Sequence, residues 1–247
     1  MADVTYVLPD TVRAPLRARE ECARSTGCDL VEVAPGEPSP PSLPWVLRIP
    51  PAGRDGYAPP RWHDGAWTSG FARDLAGDLE GCPSAVVIEP GPDRNRPADL
   101  VRAIEAVRGA APTGPAPPPS VLVAHRPGQA IPDGAGLAEF WAYLVRRAPA
   151  LAPHAGLALD PSALYAAART RTAAEVARIP PGAVRYLRVH WQGERPDLAD
   201  PVPWRSVFRL VRKNPGAVLV APAVLDPGRL EAAILFCMVM LQERAFT

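Results

Sequence analysis

Asp160 and His190 are the residues of this chain best suited to divalent-metal chemistry, because each closes a short β-rich run. The runs are Gly156–Asp160 and Val184–His190. Side chains at strand ends converge when parallel strands wrap around a common axis, and a metal that activates water needs several convergent carboxylates and imidazoles. Glu89 closes a third such run, SAVVIE, and His125 a fourth, SVLVAH. The other two histidines read differently. His63 sits beside Asp64 in RWHDGAW, a loop flanked by the packing residues Trp62 and Trp67, and His154 precedes a strand, on the end of the sheet away from the chemistry.

The elements that must position these residues are legible as alternating short and long runs. Strands are expected at Thr5–Leu8, Leu30–Val33, Val46–Ile49, Ala85–Glu89, Val121–His125, Gly156–Asp160, Val184–His190 and Val218–Ala221. Several are continuously apolar, as parallel strands covered on both faces are. Helices are expected at Val12–Thr26 with Thr11 as cap and Gly27 as stop, Trp67–Glu80 ending at Gly81, and Pro97–Arg108 ending at Gly109. Leu137–Arg147, Ser162–Arg178, Pro203–Lys213 and Pro227–Arg244 complete the set, and only the connection between the second and third strands lacks a helix. Eight strands in about 250 residues predict an α/β fold, a single (β/α)₈ TIM barrel over 1–247, with proline-rich connections at 35–44 and 110–120. An open doubly wound sheet is the alternative.

Composition excludes more than it assigns. A formal net charge of +1 removes any global electrostatic case for nucleic acid or an anionic membrane surface. Every basic residue except Lys213 is arginine, so an individual arginine carries little weight. The 33 prolines fall mostly between apolar runs and punctuate a fold. Cys22, Cys28, Cys82 and Cys237 are scattered without a CxxC pair, and the start shows no basic-then-apolar leader, so reduced thiols in an intracellular protein are expected. The longest apolar run, 232–241, is about half a membrane span. It is apolar on every side, which predicts either burial under the N-terminal connection or an interface with a partner or a second copy through Phe236, Met238 and Met240.

Four segments in order, SAVVIEPG (84–91), SVLVAHRPGQ (120–129), GLALDPSALYAAA (156–168) and YLRVHWQG (186–193), resemble the endonuclease IV family of apurinic/apyrimidinic (AP) endonucleases and, more loosely, the xylose-isomerase-like barrels. The resemblance implies a barrel whose mouth holds three zinc ions that clamp a phosphodiester. Carried over position by position, most of that ligand set is missing. The first histidine falls near Arg48, the next becomes Glu89, the bridging glutamate becomes Ala124, and the histidine three residues after Asp160 becomes Ala163. Asp160 and His190 match; the later Asp-x-His is absent from 193–204, and the final glutamate falls near Ala221. What the resemblance leaves is one reduced site, in which Glu89, Asp160 and His190 plus a water would hold zinc or manganese, with His125 as an additional polar group. The resemblance also implies a DNA-facing surface, on which Arg94, Arg96, Arg126, Arg169, Arg171 and Arg195 would meet phosphates.

The sequence therefore predicts a catalytically inactive, endonuclease IV-like barrel with no cofactor. Its expected role is structural or protein-binding, such as a component of a large DNA virus particle or another assembly. The alternatives are a metal-dependent AP endonuclease or sugar isomerase/epimerase with one reduced zinc or manganese site, and a DNA-binding protein that does not cleave.

Overall fold

In a computed structural model that describes residues 3–12, 14–50, 58–190, 198–223 and 227–242, eight parallel strands close into a barrel in sequence order. The strands are β1 (Val4–Leu8), β2 (Leu30–Val33), β3 (Trp45–Arg48), β4 (Ala85–Ile88), β5 (Ser120–Ala124), β6 (Ala155–Leu159), β7 (Val184–Val189) and β8 (Val218–Pro222). β1 closes the cylinder against β8, with Val4 opposite Val218. All eight expected strands form, and the expected (β/α)₈ barrel is the observed fold.

The helices are α1 (Leu16–Thr26), α2 (Gly65–Leu79), α3 (Pro97–Ala110), α4 (Gly134–Arg147), α5 (Pro161–Ala168), α6 (Thr172–Arg178), α7 (Trp204–Arg212) and α8 (Leu230–Gln242). As expected, β2 runs to β3 without a helix. The start of α1 differs from the sequence reading: Thr11 does not cap it, and the helix begins four residues beyond Val12 with Pro15 in the capping position. A proline disfavours helical backbone in the residue before it, which holds Ala14 out of the helix. The single helix expected over Ser162–Arg178 is broken at Arg169, whose φ of 51° lies in the left-handed region. The break redirects the chain, so that α6 packs against α4 and α7.

Period-two alternation sorts the strand side chains into two separate cores. Leu8, Val31, Val33, Leu47, Val86, Ile88, Val121, Val123, Leu157 and Leu187 face outward and pack with the helices. Val7, Leu30, Val46, Ala85, Val87, Leu122, Ala124, Ala158, Tyr186 and Ala221 fill the barrel interior. One step beyond this inner apolar layer, toward the carboxyl end, the inward positions are Glu32, Arg48, Glu89 and Arg188, and all are buried. A barrel interior usually continues with branched apolar residues there; this one turns ionic.

None of the described helices is long and apolar enough to cross a membrane. α8 buries Leu230, Ala233, Ile234, Cys237 and Met240 against the barrel. Phe236 is half-buried, with ring centroids 6.0 Å from both Trp204 and Phe208. Of the three residues expected at a partner interface, Phe236 and Met240 thus belong to internal packing. Met238 is exposed, together with Leu235 and Val239.

Candidate functional site at the barrel mouth

The carboxyl end of the barrel is organised around Glu32, which is fully buried on β2. Its carboxylate accepts from the Tyr186 hydroxyl, from Arg188 Nη1 at 3.2 Å to each oxygen, and from the Asp10 backbone N–H at 2.8 Å. Arg48 Nη1 lies 3.7 Å away, and Arg188 Nη2 reaches on to the Asp10 carboxylate at 3.0 Å. Charges removed from water persist only when paired and hydrogen-bonded, and this cluster meets both conditions. Burial pushes the Tyr186 phenol far above its ordinary range, and Glu32 adds to the shift, so the hydroxyl stays protonated and donates. Burial lowers the tendency of Arg188 to hold its proton, but Glu32, Tyr186 and Asp10 more than reverse this.

Asp10 is the titrating member. Burial raises its pKa, yet Arg188 and Arg48 outweigh burial and hold it at about 2, below the ordinary 3.8. A carboxyl with a lowered folded-state pKa stabilises the fold above its unfolded value and loses that contribution as pH falls through the folded one. Stability measured by urea denaturation is therefore expected to drop between about pH 4 and pH 2. Asp10→Asn should flatten that part of the profile; an unchanged slope would contradict the pairing.

The residues expected to hold a metal lie close by but are engaged elsewhere. Glu89 is 1% exposed and accepts from Arg126 Nε at 2.9 Å and Nη2 at 3.3 Å. Asp160 caps α5, its Oδ1 accepting from the N–H groups of Ser162 and Ala163 at 3.0 Å each. The His190 side chain is exposed, while its carbonyl accepts from the Ser162 hydroxyl. Ala124 ends β5 and Ala221 lies in β8, so two strands that could supply carboxylates supply methyl groups. Among the described residues, no group of three or more His, Cys, Asp or Glu side chains is placed to share a metal ion.

If capping is the main work of Asp160, asparagine should replace it with little change in stability and alanine should cost about 1 kcal/mol. Equal losses in the two variants, by denaturation, would contradict the capping role.

His125 is 3% exposed; its Nε2 lies 3.0 Å from the Asp160 carbonyl and 3.1 Å from the Asp160 N–H, while Nδ1 is buried without a hydrogen-bond partner. Burial lowers its pKa against the opposing pull of Asp160, which favours the neutral ring. His125 lines a cavity of about 50 Å³ together with Arg48, Glu89, Arg126, Asp160 and Arg188. His190 is not among the residues lining it. A larger cavity of about 290 Å³, lined by Ile49, Trp67, Phe71 and Leu75, lies outside the barrel against α2.

The arginines expected on a DNA-facing surface divide. Arg94, Arg96, Arg169 and Arg171 are exposed, Arg169 stacking 5.5 Å above the Tyr165 ring. Arg126 is committed to Glu89, and Arg195 lies outside the described residues. The loop holding His63 is structural, as the sequence suggested. Asp64 caps α2 by accepting from Ala66 N and Trp67 N, and His63 Nδ1 lies 2.7 Å from Asn95 Oδ1. Sequence reasoning overlooked Glu32, Asp10 and Arg188. The signal was present: LVEV, WVLR and VRYLRV each carry a charge at an alternate position of a strand that must be buried.

Solved structures of TIM barrels described as xylose isomerase-like match nearly the whole chain in fold. A xylose isomerase domain-containing protein from Salmonella typhimurium is 18% identical with a TM-score of 0.60, covering 96% of this chain and 97% of its own. A D-tagatose 3-epimerase-like protein is 12% identical with a TM-score of 0.66, covering 97% and 98%. A xylose isomerase-like TIM barrel protein from Mycobacterium smegmatis, in complex with magnesium, is 14% identical with a TM-score of 0.57, covering 98% and 96%. At these identities the likeness is one of fold. No family model matches the chain, and no curated protein matches it.

Proposed function

We propose that this chain is a xylose isomerase-like barrel that has exchanged a divalent-metal site for a guanidinium–carboxylate network, and that it acts by binding and not by metal-dependent catalysis. The observation that carries this reading is the engagement of the mouth carboxylates. Glu32 is held by Tyr186 and Arg188, Asp10 by Arg188, Glu89 by Arg126, and Asp160 by the first turn of α5. Binding a metal through Glu32, Asp10 or Glu89 would require breaking a buried pair, which costs about 3–5 kcal/mol where one partner is left behind.

A protein-binding role is supported by the exposed side of α8, where Leu235, Met238 and Val239 leave apolar surface uncovered among the described residues. The second reading is a one-metal enzyme. It is favoured by the exposed His190 ring one strand over from Asp160, and by neighbours described as epimerase-like and as a magnesium complex.

Purified protein supplied with magnesium, manganese or zinc should neither epimerise ketoses nor cleave duplex DNA carrying an abasic site above the no-protein control. Metal-dependent turnover of either substrate that Asp160→Asn abolishes would establish the second reading. Retention of duplex DNA without cleavage, weakening steeply with salt, would instead identify the exposed arginines as a phosphate-binding face.

A further inference from the structure

We propose that the cavity of about 290 Å³ against α2 binds a small organic cation, a primary amine carried on an apolar body. The cavity lies outside the barrel and shares no lining residue with the mouth, so the inference goes beyond the reading above and does not depend on it.

The cavity lies between α2 and the connection that lacks a helix. β2 runs to β3 without one, and Asp78 Oδ1 of α2 accepts from the Gly36 N–H of that connection at 2.8 Å, which ties the two together. Pro35 supplies one wall, and Pro50 and Pro60, between β3 and α2, supply another. Proline fixes its own φ, so these walls are set before a ligand arrives and binding costs less ordering.

Apolar lining sets the body of the ligand. Ile49, Trp67, Phe71 and Leu75 line the cavity, with Trp67 and Phe71 stacked at 5.2 Å and both half-buried. An apolar cavity of about 150 Å³ already admits benzene. This one has room for a single ring with a short chain, and it stands at the small end of ligand sites, which begin at about 300 Å³.

Charge sets the head. Asp74 and Asp78 line the same cavity, and no arginine, lysine or histidine is among its described lining residues. Among the described residues neither carboxylate has a salt-bridge partner, and the bond from Gly36 occupies only one oxygen of Asp78. The two stand one turn apart on α2, where like charges oppose each other. Asp78 also falls in the last turn, where the negative end of the helix dipole disfavours a carboxylate and no basic residue offsets it. A cation relieves both conflicts. An ammonium group brings three N–H donors to these oxygens, while its carbon body covers the aromatic wall, which a bare metal ion leaves wet.

Phenethylamine is the probe, titrated into the unmodified protein at constant ionic strength and about pH 7, where a primary amine is protonated, while tryptophan emission is followed. The emission should change saturably, with a dissociation constant of about 1 mM or tighter. Phenethyl alcohol keeps the ring and chain without the charge and should bind at least about tenfold more weakly. Ammonium chloride, a charge without a body, should give no saturable change. Asp74→Asn alters an exposed side chain at constant size, which leaves the fold intact. It should weaken the amine at least about threefold and leave the alcohol unaffected. A response to the amine that stays linear with concentration overturns the site. Equal binding of amine and alcohol, saturation by ammonium alone, or undiminished amine binding in Asp74→Asn overturns the assignment of an organic cation. None of these outcomes bears on the metal content of the mouth, so failure here leaves the reading above standing.

Discussion

Replacing Arg188 with methionine is expected to destabilise the protein by about 3–5 kcal/mol, the loss seen when one partner of a buried ion pair is removed. Arg188 is 8% exposed and bridges the Glu32 and Asp10 carboxylates, so its removal strands two negative charges in the barrel mouth with only Arg48 nearby. Methionine preserves much of the side-chain volume, so the loss reports charge and not a cavity. Adding Glu32→Gln to Arg188→Met should recover more than about 1 kcal/mol, because a neutral amide tolerates the site better than an unpaired carboxylate. Urea denaturation of the four proteins of this cycle gives the coupling directly. A single-variant loss under about 1 kcal/mol, or strictly additive losses, would mean that water and not Arg188 neutralises Glu32.

Trp62→Ala should cost a similar amount, about 3–5 kcal/mol, for a different reason. Trp62 is fully buried, edge-on to Trp67 and Phe71 at 5.0 and 5.1 Å, and its indole N–H donates to the Glu89 carbonyl at 2.8 Å. The residue therefore fastens the connection between β3 and α2 to the end of β4, directly beneath a wall of the mouth. Trp62→Phe keeps most of the ring volume but leaves the Glu89 carbonyl without this donor, for an expected loss of about 1–2 kcal/mol. If phenylalanine and alanine lose equal stability, the hydrogen bond dominates; if phenylalanine is neutral, packing does.

What was legible in the sequence, and what was not, follows from the range of the interactions. The eight strands are local patterns of apolar residues bounded by turn residues, and each formed within a residue or so of its expected ends. Ala124 and Ala221 were legible as missing ligands because their places depend only on strand ends. The positions of Glu89, Asp160 and His190 were equally legible. Their partners were not. Arg126 reaches Glu89 across 37 positions, and Arg188 reaches Glu32 across 156, so pairing depended on barrel closure and side-chain direction. The break at Arg169 also escaped, since an alanine-rich run such as ALYAAA favours helix throughout and nothing local marks a left-handed arginine. On α8, uniform apolarity concealed which side faces the barrel; packing against Trp204 and Phe208 decided that Phe236 turns inward.

The most direct test of a mouth neutralised by arginine is the metal stoichiometry of the purified chain. After dialysis against zinc, manganese or magnesium at about 100 µM, elemental analysis should find well under one ion per chain, with Asp160→Asn and the unmodified protein alike. Near-stoichiometric metal that Asp160→Asn or His190→Ala releases would contradict the account, because it would mean that the carboxylates held here by guanidinium groups and backbone are free to coordinate.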